Sequence, residues 1–271
     1  MKNLVSTDWL KKNQDNVRIF DGSWHLPNSN RNGFEEFKLS HIKNSTFFDI
    51  DKYSDQNSKL PHMLLKKNDW EKIMSYHGVN NSDQIIIYDN SDLISSCRVW
   101  YNFLYFGHDP ELVSVLDGGL KKWIIEKKEL STVIKKFKKS KYLAKENSSL
   151  VKNKFQINEN IKHNLFQLVD ARSEERFLGL QKELRKELRS GNIKNSINLP
   201  FSLLINKTNR TFKSKKELVS IFQKKKIDTN KEIAFTCGSG VTACILGLAN
   251  SIISGKNPVI YDGSWSEYGL I

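Results

Sequence analysis

Seven consecutive residues, Cys237-Gly238-Ser239-Gly240-Val241-Thr242-Ala243, place a nucleophile on a turn suited to holding an anion. The apolar run Ile233-Ala234-Phe235 before them reads as a buried strand, and the apolar stretch from Cys244 to Ile253 reads as a buried helix. Glycine lets the turn between them curl so that successive N–H groups point inward. The helix that follows adds the positive end of its dipole. Both effects favour thiolate over thiol and hold negative charge near the sulfur. A buried structural cysteine is the competing reading, because free cysteines are commonly buried. Gly238, Ser239, Gly240 and Thr242 packed into one turn favour the nucleophile. Cys244, seven residues further on the apolar helix, reads as core, and so does Cys97.

The elements that would position this turn come in two sets. In the first half, a helix is expected from Ser6 or Thr7 to Lys12, then strands at Val17–Asp21, Thr46–Ile50, Gln84–Tyr88 and Leu112–Leu116, with helical spacing at 34–39, 69–77 and 97–106. The pattern then recurs. Phe166-Gln167-Leu168-Val169-Asp170 echoes Val17 to Asp21, Asn192-Ile193-Lys194-Asn195-Ser196 echoes His41 to Ser45, and Val259-Ile260-Tyr261-Asp262-Gly263 echoes Val115 to Gly119. Asp21 stands 68 residues before Asp89, and Asp170 stands 67 residues before Cys237. Landmarks in one order at one spacing indicate a tandem duplication. Alternating strands and helices indicate an α/β fold: two tandem domains, each a mainly parallel sheet flanked by helices. The expected limits are 1–128, a lysine-rich linker at 129–156, and 157–271. Asp89 occupies the position of Cys237, so the first copy cannot run thiol chemistry there.

Composition narrows the function further. The formal net charge is +13 over 271 residues. A basic chain raises the question of nucleic acid, but the lysine excess is spread along the chain and no nucleic-acid motif accompanies it, so no nucleic-acid partner is expected. No run of 18 apolar residues is present, so no membrane span is expected. Residues 1–8 carry no apolar signal core, and three cysteines form no C-x-x-C pair; reduced thiols and a cytoplasmic location follow as expectations. His25, His41, His62, His77, His108 and His163 are scattered, so neither a metal nor another cofactor is expected. A cysteine phosphatase needs arginine six positions after the cysteine, where this chain has Ala243.

These residues resemble the tandem-domain sulfurtransferases of the rhodanese superfamily, most closely the 3-mercaptopyruvate sulfurtransferases. The resemblance covers nearly the whole chain. It is carried by Phe47-Phe48-Asp49-Ile50-Asp51, Pro61-His62-Met63-Leu64, Leu116-Asp117-Gly118-Gly119-Leu120, Asp170-Ala171-Arg172 with Arg176-Phe177, Cys237 to Ala243, and Tyr261-Asp262-Gly263-Ser264-Trp265. It implies two rhodanese-like domains with the first inactive, and a Cys237 persulfide that passes sulfur from 3-mercaptopyruvate to a thiol acceptor such as reduced thioredoxin, or to cyanide. It implies Arg176 and Arg185 as substrate arginines, with Gly238, Gly240, Val241 and Thr242 lining the substrate. Ser239, Asp51 and His62 are implied as a proton-relay group, with Asp51 and His62 supplied by the first domain. Thiosulfate-preferring relatives usually carry a basic residue after the cysteine; Gly238 points to mercaptopyruvate. A monomer is expected. The alternatives are a thiosulfate sulfurtransferase or a non-enzymatic persulfide carrier.

The chain departs from the family's G-H-I-P-G-A at Ser40–Ser45 and Gly191–Ser196, and from its aromatic-S-A-P-R pattern at Leu93 to Arg98. Read from the residues alone, Arg185 lies in Lys182 to Arg189, which has the look of an exposed charged helix, and Ser239 could simply cap the helix after it.

Overall fold

A computed structural model of the chain describes residues 3–183 and 185–271; Met1, Lys2 and Leu184 lie outside them. It divides into two units, one formed by residues 1–55, 64–147 and 207–211, the other by 56–63, 148–206 and 212–271.

In the first unit, five strands form one parallel sheet: β1 (Leu4–Val5), β2 (Arg18–Asp21), β3 (Ser45–Phe47), β4 (Ile85–Tyr88) and β5 (Val113–Leu116), in the order β1-β5-β4-β2-β3. The strands are joined through helices α1 (Thr7–Asn13), α2 (Gly33–Leu39), α3 (Lys67–Tyr76), α4 (Ser96–Tyr105) and α5 (Gly119–Ile125). Central strand β4, Ile-Ile-Ile-Tyr, is buried throughout. Parallel strands covered on both faces need such an unbroken apolar run. Ile86, Tyr88, Leu116, Leu120 and Trp123 share one core with Leu10 and Ile42. Ser6 caps α1 by accepting the Trp9 N–H. β3 is shorter than expected because Asp49 accepts the Lys52 N–H and turns the chain.

The second unit repeats the plan. β6 (Val151–Lys152), β7 (Gln167–Asp170), β8 (Ile197–Asn198), β9 (Ile233–Thr236) and β10 (Val259–Tyr261) run parallel in the order β6-β10-β9-β7-β8. Its helices are α6 (Lys154–His163), α7 (Glu174–Phe177), α8 (Lys215–Lys224), α9 (Ala243–Ser254) and α10 (Ser264–Tyr268). Strand for strand, the two orders correspond, as a duplication requires. The stretch 129–156 read as a linker is divided. Its first part hydrogen-bonds along the first unit, Ser140 N–H to Ser75 O and Lys145 N–H to Phe106 O, whereas its end supplies β6 and the start of α6 to the second.

One segment contradicts its sequence pattern. Residues 182–189 form bends and turns, with no helix among the described positions. The Glu183 side chain turns inward and is only 3% exposed, and Leu188 is buried in a bridge to Leu270.

Burial shifts several titratable groups of the first unit, among them buried Asp21 and half-buried His77, and makes it pH-sensitive. Asp21, at the end of β2, is pushed up to about 7, chiefly by burial, with the nearby Asp89 carboxylate adding to the rise. His77 is pushed down to about 4 by burial, and its Nε2 is hydrogen-bonded to the Tyr53 hydroxyl at 2.8 Å. For Asp21 the folded state holds the proton more tightly than the unfolded chain. Its contribution is therefore complete below about pH 4 and is lost as pH rises to about 7. His77 acts oppositely, losing stability as pH falls from about 6.5 to about 4. Asp21→Asn is expected to flatten the first slope, leaving the part that buried Asp89, also raised by burial, contributes. Urea unfolding at pH 4.5 and 7.5 should show the variant gaining on the wild type at the higher pH by on the order of 3 kcal/mol.

Candidate functional site

The loop from Cys237 to Thr242 leaves the carboxyl end of β9 and enters α9. Open α/β sheets place their ligand sites at this edge. Cys237 is a free cysteine, 1% exposed. Its backbone is clamped to α10: its N–H donates to Ser264 Oγ at 3.3 Å, and its carbonyl accepts from the Trp265 N–H at 3.0 Å. The Gly238 carbonyl accepts from the Ser266 N–H at 2.8 Å. With these carbonyls engaged behind it, the loop curls forward. Gly240 makes the turn at φ +77°, a conformation costly to a side chain. Among the described residues, the N–H groups of Gly238, Ser239, Val241 and Thr242 donate to no protein group. Thr242, the residue before α9, makes no side-chain cap. Open donors followed by a twelve-residue helix form a cradle for negative charge.

Ser239 does not cap α9. Its Oγ is hydrogen-bonded to His62 Nδ1 at 2.9 Å. His62 is 5% exposed and belongs with 56–63, a segment that joins the second unit, so the first domain does not supply it as the resemblance implies. Arg176, on the short helix α7, lies over Gly238: a Cβ there would be 3.5 Å from one guanidinium nitrogen and 3.9 Å from the other. A Cβ at 238 would sit in ordinary contact with the guanidinium, and only a longer side chain would compete for the space beside it.

Behind Arg176 runs a chain of alternating charges. Asp170, at the end of β7, takes Arg172 through Nε and Nη2 at 2.8 to 3.2 Å. Arg172 donates from Nη1 to Glu183 at 3.0 Å, and the other Glu183 oxygen accepts from Arg176 Nη2 at 2.6 Å. The Arg172 guanidinium also stacks on the Trp265 ring, 4.4 Å from its centroid. Trp265 is the residue whose N–H holds the Cys237 carbonyl. The buried polar chain and the cysteine loop are thus joined through one residue, Trp265, by its ring on one side and its backbone N–H on the other.

The rhodanese-like domain family matches residues 6–126 and again 155–270. The chain belongs to the rhodanese family. A mouse 3-mercaptopyruvate sulfurtransferase is 37% identical over 275 residues, spanning 98% of this chain and 91% of that protein. A mouse thiosulfate sulfurtransferase is 36% identical over 274 residues, with the same shares covered. The crystal structure of SseA from Escherichia coli, described as a 3-mercaptopyruvate sulfotransferase, matches at a TM-score of 0.88 and 32% identity, covering 98% of this chain and 100% of that one. Overall identity therefore does not separate the two donor classes.

In this rhodanese the structure brings together Cys237, Gly238, Ser239, Gly240, Val241 and Thr242 with His62 and Arg176. Asp51 belongs to the first unit, where it accepts from the Trp24 indole N–H at 3.0 Å. Arg185 is half-buried in the irregular segment, and its side chain makes no hydrogen bond or ion pair among the described residues. Glu183, Ser264 and Trp265 were missed as site-building residues. Ser264 and Trp265 lie in a motif that was recognised, but nothing local marks their bonds to the loop.

The first rhodanese-like domain carries the matching loop after β4. There the Asp89 carboxylate folds back into its own turn, accepting the Ser91 N–H at 2.9 Å on one oxygen and the Ser96 N–H at 2.9 Å on the other. Arg31, held by Glu36, donates to the Asn90 carbonyl, and Arg210 donates to the Ser91 carbonyl.

Proposed function

We propose that this sulfurtransferase moves sulfur from 3-mercaptopyruvate to a thiol acceptor through a persulfide on Cys237. One arrangement carries the reading: a cysteine at the mouth of a loop of open N–H donors, with Arg176 lying directly over Gly238. The Cys237 thiolate attacks the donor sulfur, forming an S–S bond as the C–S bond breaks. The bond's electron pair leaves as the enolate of pyruvate. Protonation of the enolate carbon gives pyruvate, and Cys237 keeps the outer sulfur. A thiolate acceptor, such as that of a reduced thioredoxin, or cyanide then takes that sulfur and returns the Cys237 thiolate. Open N–H groups stabilise charge on sulfur in both steps. The free edge of Arg176 suits the donor carboxylate, because a guanidinium pairs with two oxygens and stays charged.

Gly238 favours the keto acid over thiosulfate. A basic side chain at 238 would start 3.5 Å from the Arg176 guanidinium and compete with it for the donor anion. The Ser239–His62 pair supplies a proton path to the enolate. Ser239→Ala is therefore expected to lower kcat with 3-mercaptopyruvate by about a hundredfold with a smaller change in KM. Steady-state pyruvate release measures both.

We further propose that Arg185 contributes to donor binding, that Asp51 assists the proton relay, and that the protein acts as a monomer in a reducing compartment such as the cytoplasm. Three free cysteines support the last reading. The deciding test compares 3-mercaptopyruvate and thiosulfate as donors to one thiol acceptor. Preference for the first supports the proposal. Preference for thiosulfate overturns the donor assignment, and turnover with neither leaves a carrier role.

A further inference from the structure

We infer that Glu183 is a positioning residue: it pins one edge of Arg176 so that the other edge meets the donor carboxylate. The inference rests on the reading of Arg176 as the arginine that takes the donor. A carboxylate 3% exposed between two arginines must be paired, or its burial would be prohibitive. Glu183 is paired twice, to Arg172 at 3.0 Å and to Arg176 at 2.6 Å, one oxygen to each. The two arginines differ. Arg172 is 1% exposed and already saturated by Asp170, the Gly191 carbonyl and the Trp265 ring. It is an anchor. The Arg176 side chain is 35% exposed, and its Nε and Nη1 bond no other group among the described residues. A long side chain with that freedom would sample many rotamers, and holding it costs about 2 kcal/mol of side-chain entropy at most. Glu183 settles that cost before the donor arrives.

A residue acting in this way affects binding more than chemistry. Glu183→Gln keeps the size and one acceptor but loses the charge that holds both arginines. It is expected to raise KM for 3-mercaptopyruvate about tenfold and leave kcat within about twofold. Pyruvate inhibition should weaken by the same factor, which reports binding without turnover. The decisive comparison is the cycle with Arg176→Gln. If Glu183 works through Arg176, the double variant is no worse than Arg176→Gln alone. Effects that multiply, or an unchanged KM and pyruvate inhibition constant in a folded Glu183→Gln protein, would overturn the inference. Should Glu183→Gln fail to fold, Glu183→Asp retains the charge with a shorter arm, and the same KM rise, pyruvate shift and cycle apply to it. Wild-type protein that turns over neither donor would instead count against the proposed function itself.

Discussion

Cys237→Ser is expected to lose sulfur transfer from 3-mercaptopyruvate by about 10⁴-fold or more, the scale seen when a covalent nucleophile is removed. An oxygen of the same reach cannot take over. Serine is not ionised at neutral pH, and nothing beside it in this loop acts as its base, since His62 bonds to Ser239. An oxygen nucleophile would also have to form an O–S bond in place of a persulfide. The fold should be unaffected, because the anchors of the loop are backbone bonds to Ser264, Trp265 and Ser266. Mass spectrometry after exposure to the donor supplies the second readout: a 32 Da adduct on the wild type and none on the variant. An adduct that persists on another residue in Cys237→Ser would move the nucleophile elsewhere.

Arg176→Gln is expected to reduce kcat/KM for the same donor by about a hundredfold, mostly through KM. Truncating one partner of a buried or half-buried charge pair costs on the order of 3 kcal/mol. Here the loss is doubled in kind: the donor carboxylate loses its fork, and Glu183 loses one of its two cations. Arg176→Lys should recover only part of the activity, since a point charge cannot span two oxygens. Equal kcat/KM in Arg176→Gln and wild type would remove this arginine from the donor site.

Much of this was legible from residue types. β4 and β9 announce themselves as short apolar runs, because a strand covered on both faces has nowhere to put a polar side chain. The cysteine loop is legible because its glycines and its flanking strand and helix are contiguous. The repeat is legible because two sets of landmarks keep one spacing. The remainder depends on contacts across long separations. Nothing local says that Ser239 will meet a histidine 177 residues away and leave α9 uncapped. Residues 182–189 mislead for a related reason. Alternating Lys, Glu and Arg resembles a solvated helix, yet two arginines upstream draw Glu183 inward, and burial of Leu188 completes the departure from helix.

The Asp89 loop changes how the duplication is understood. The first copy carries its anion on its own backbone, at the very high effective molarity of an intramolecular group. Its electrostatic demand is met at every moment, with no cargo to wait for and none to release. Such a loop can survive as scaffold without selection for turnover. It has also drifted: its donors, Ser91 and Ser96, lie two and seven positions after the acid, and α4 begins one residue later relative to Asp89 than α9 does relative to Cys237. A thiol grafted at 89 would therefore meet a cradle shaped around a carboxylate, and the ancestral symmetry is no longer recoverable by a single exchange.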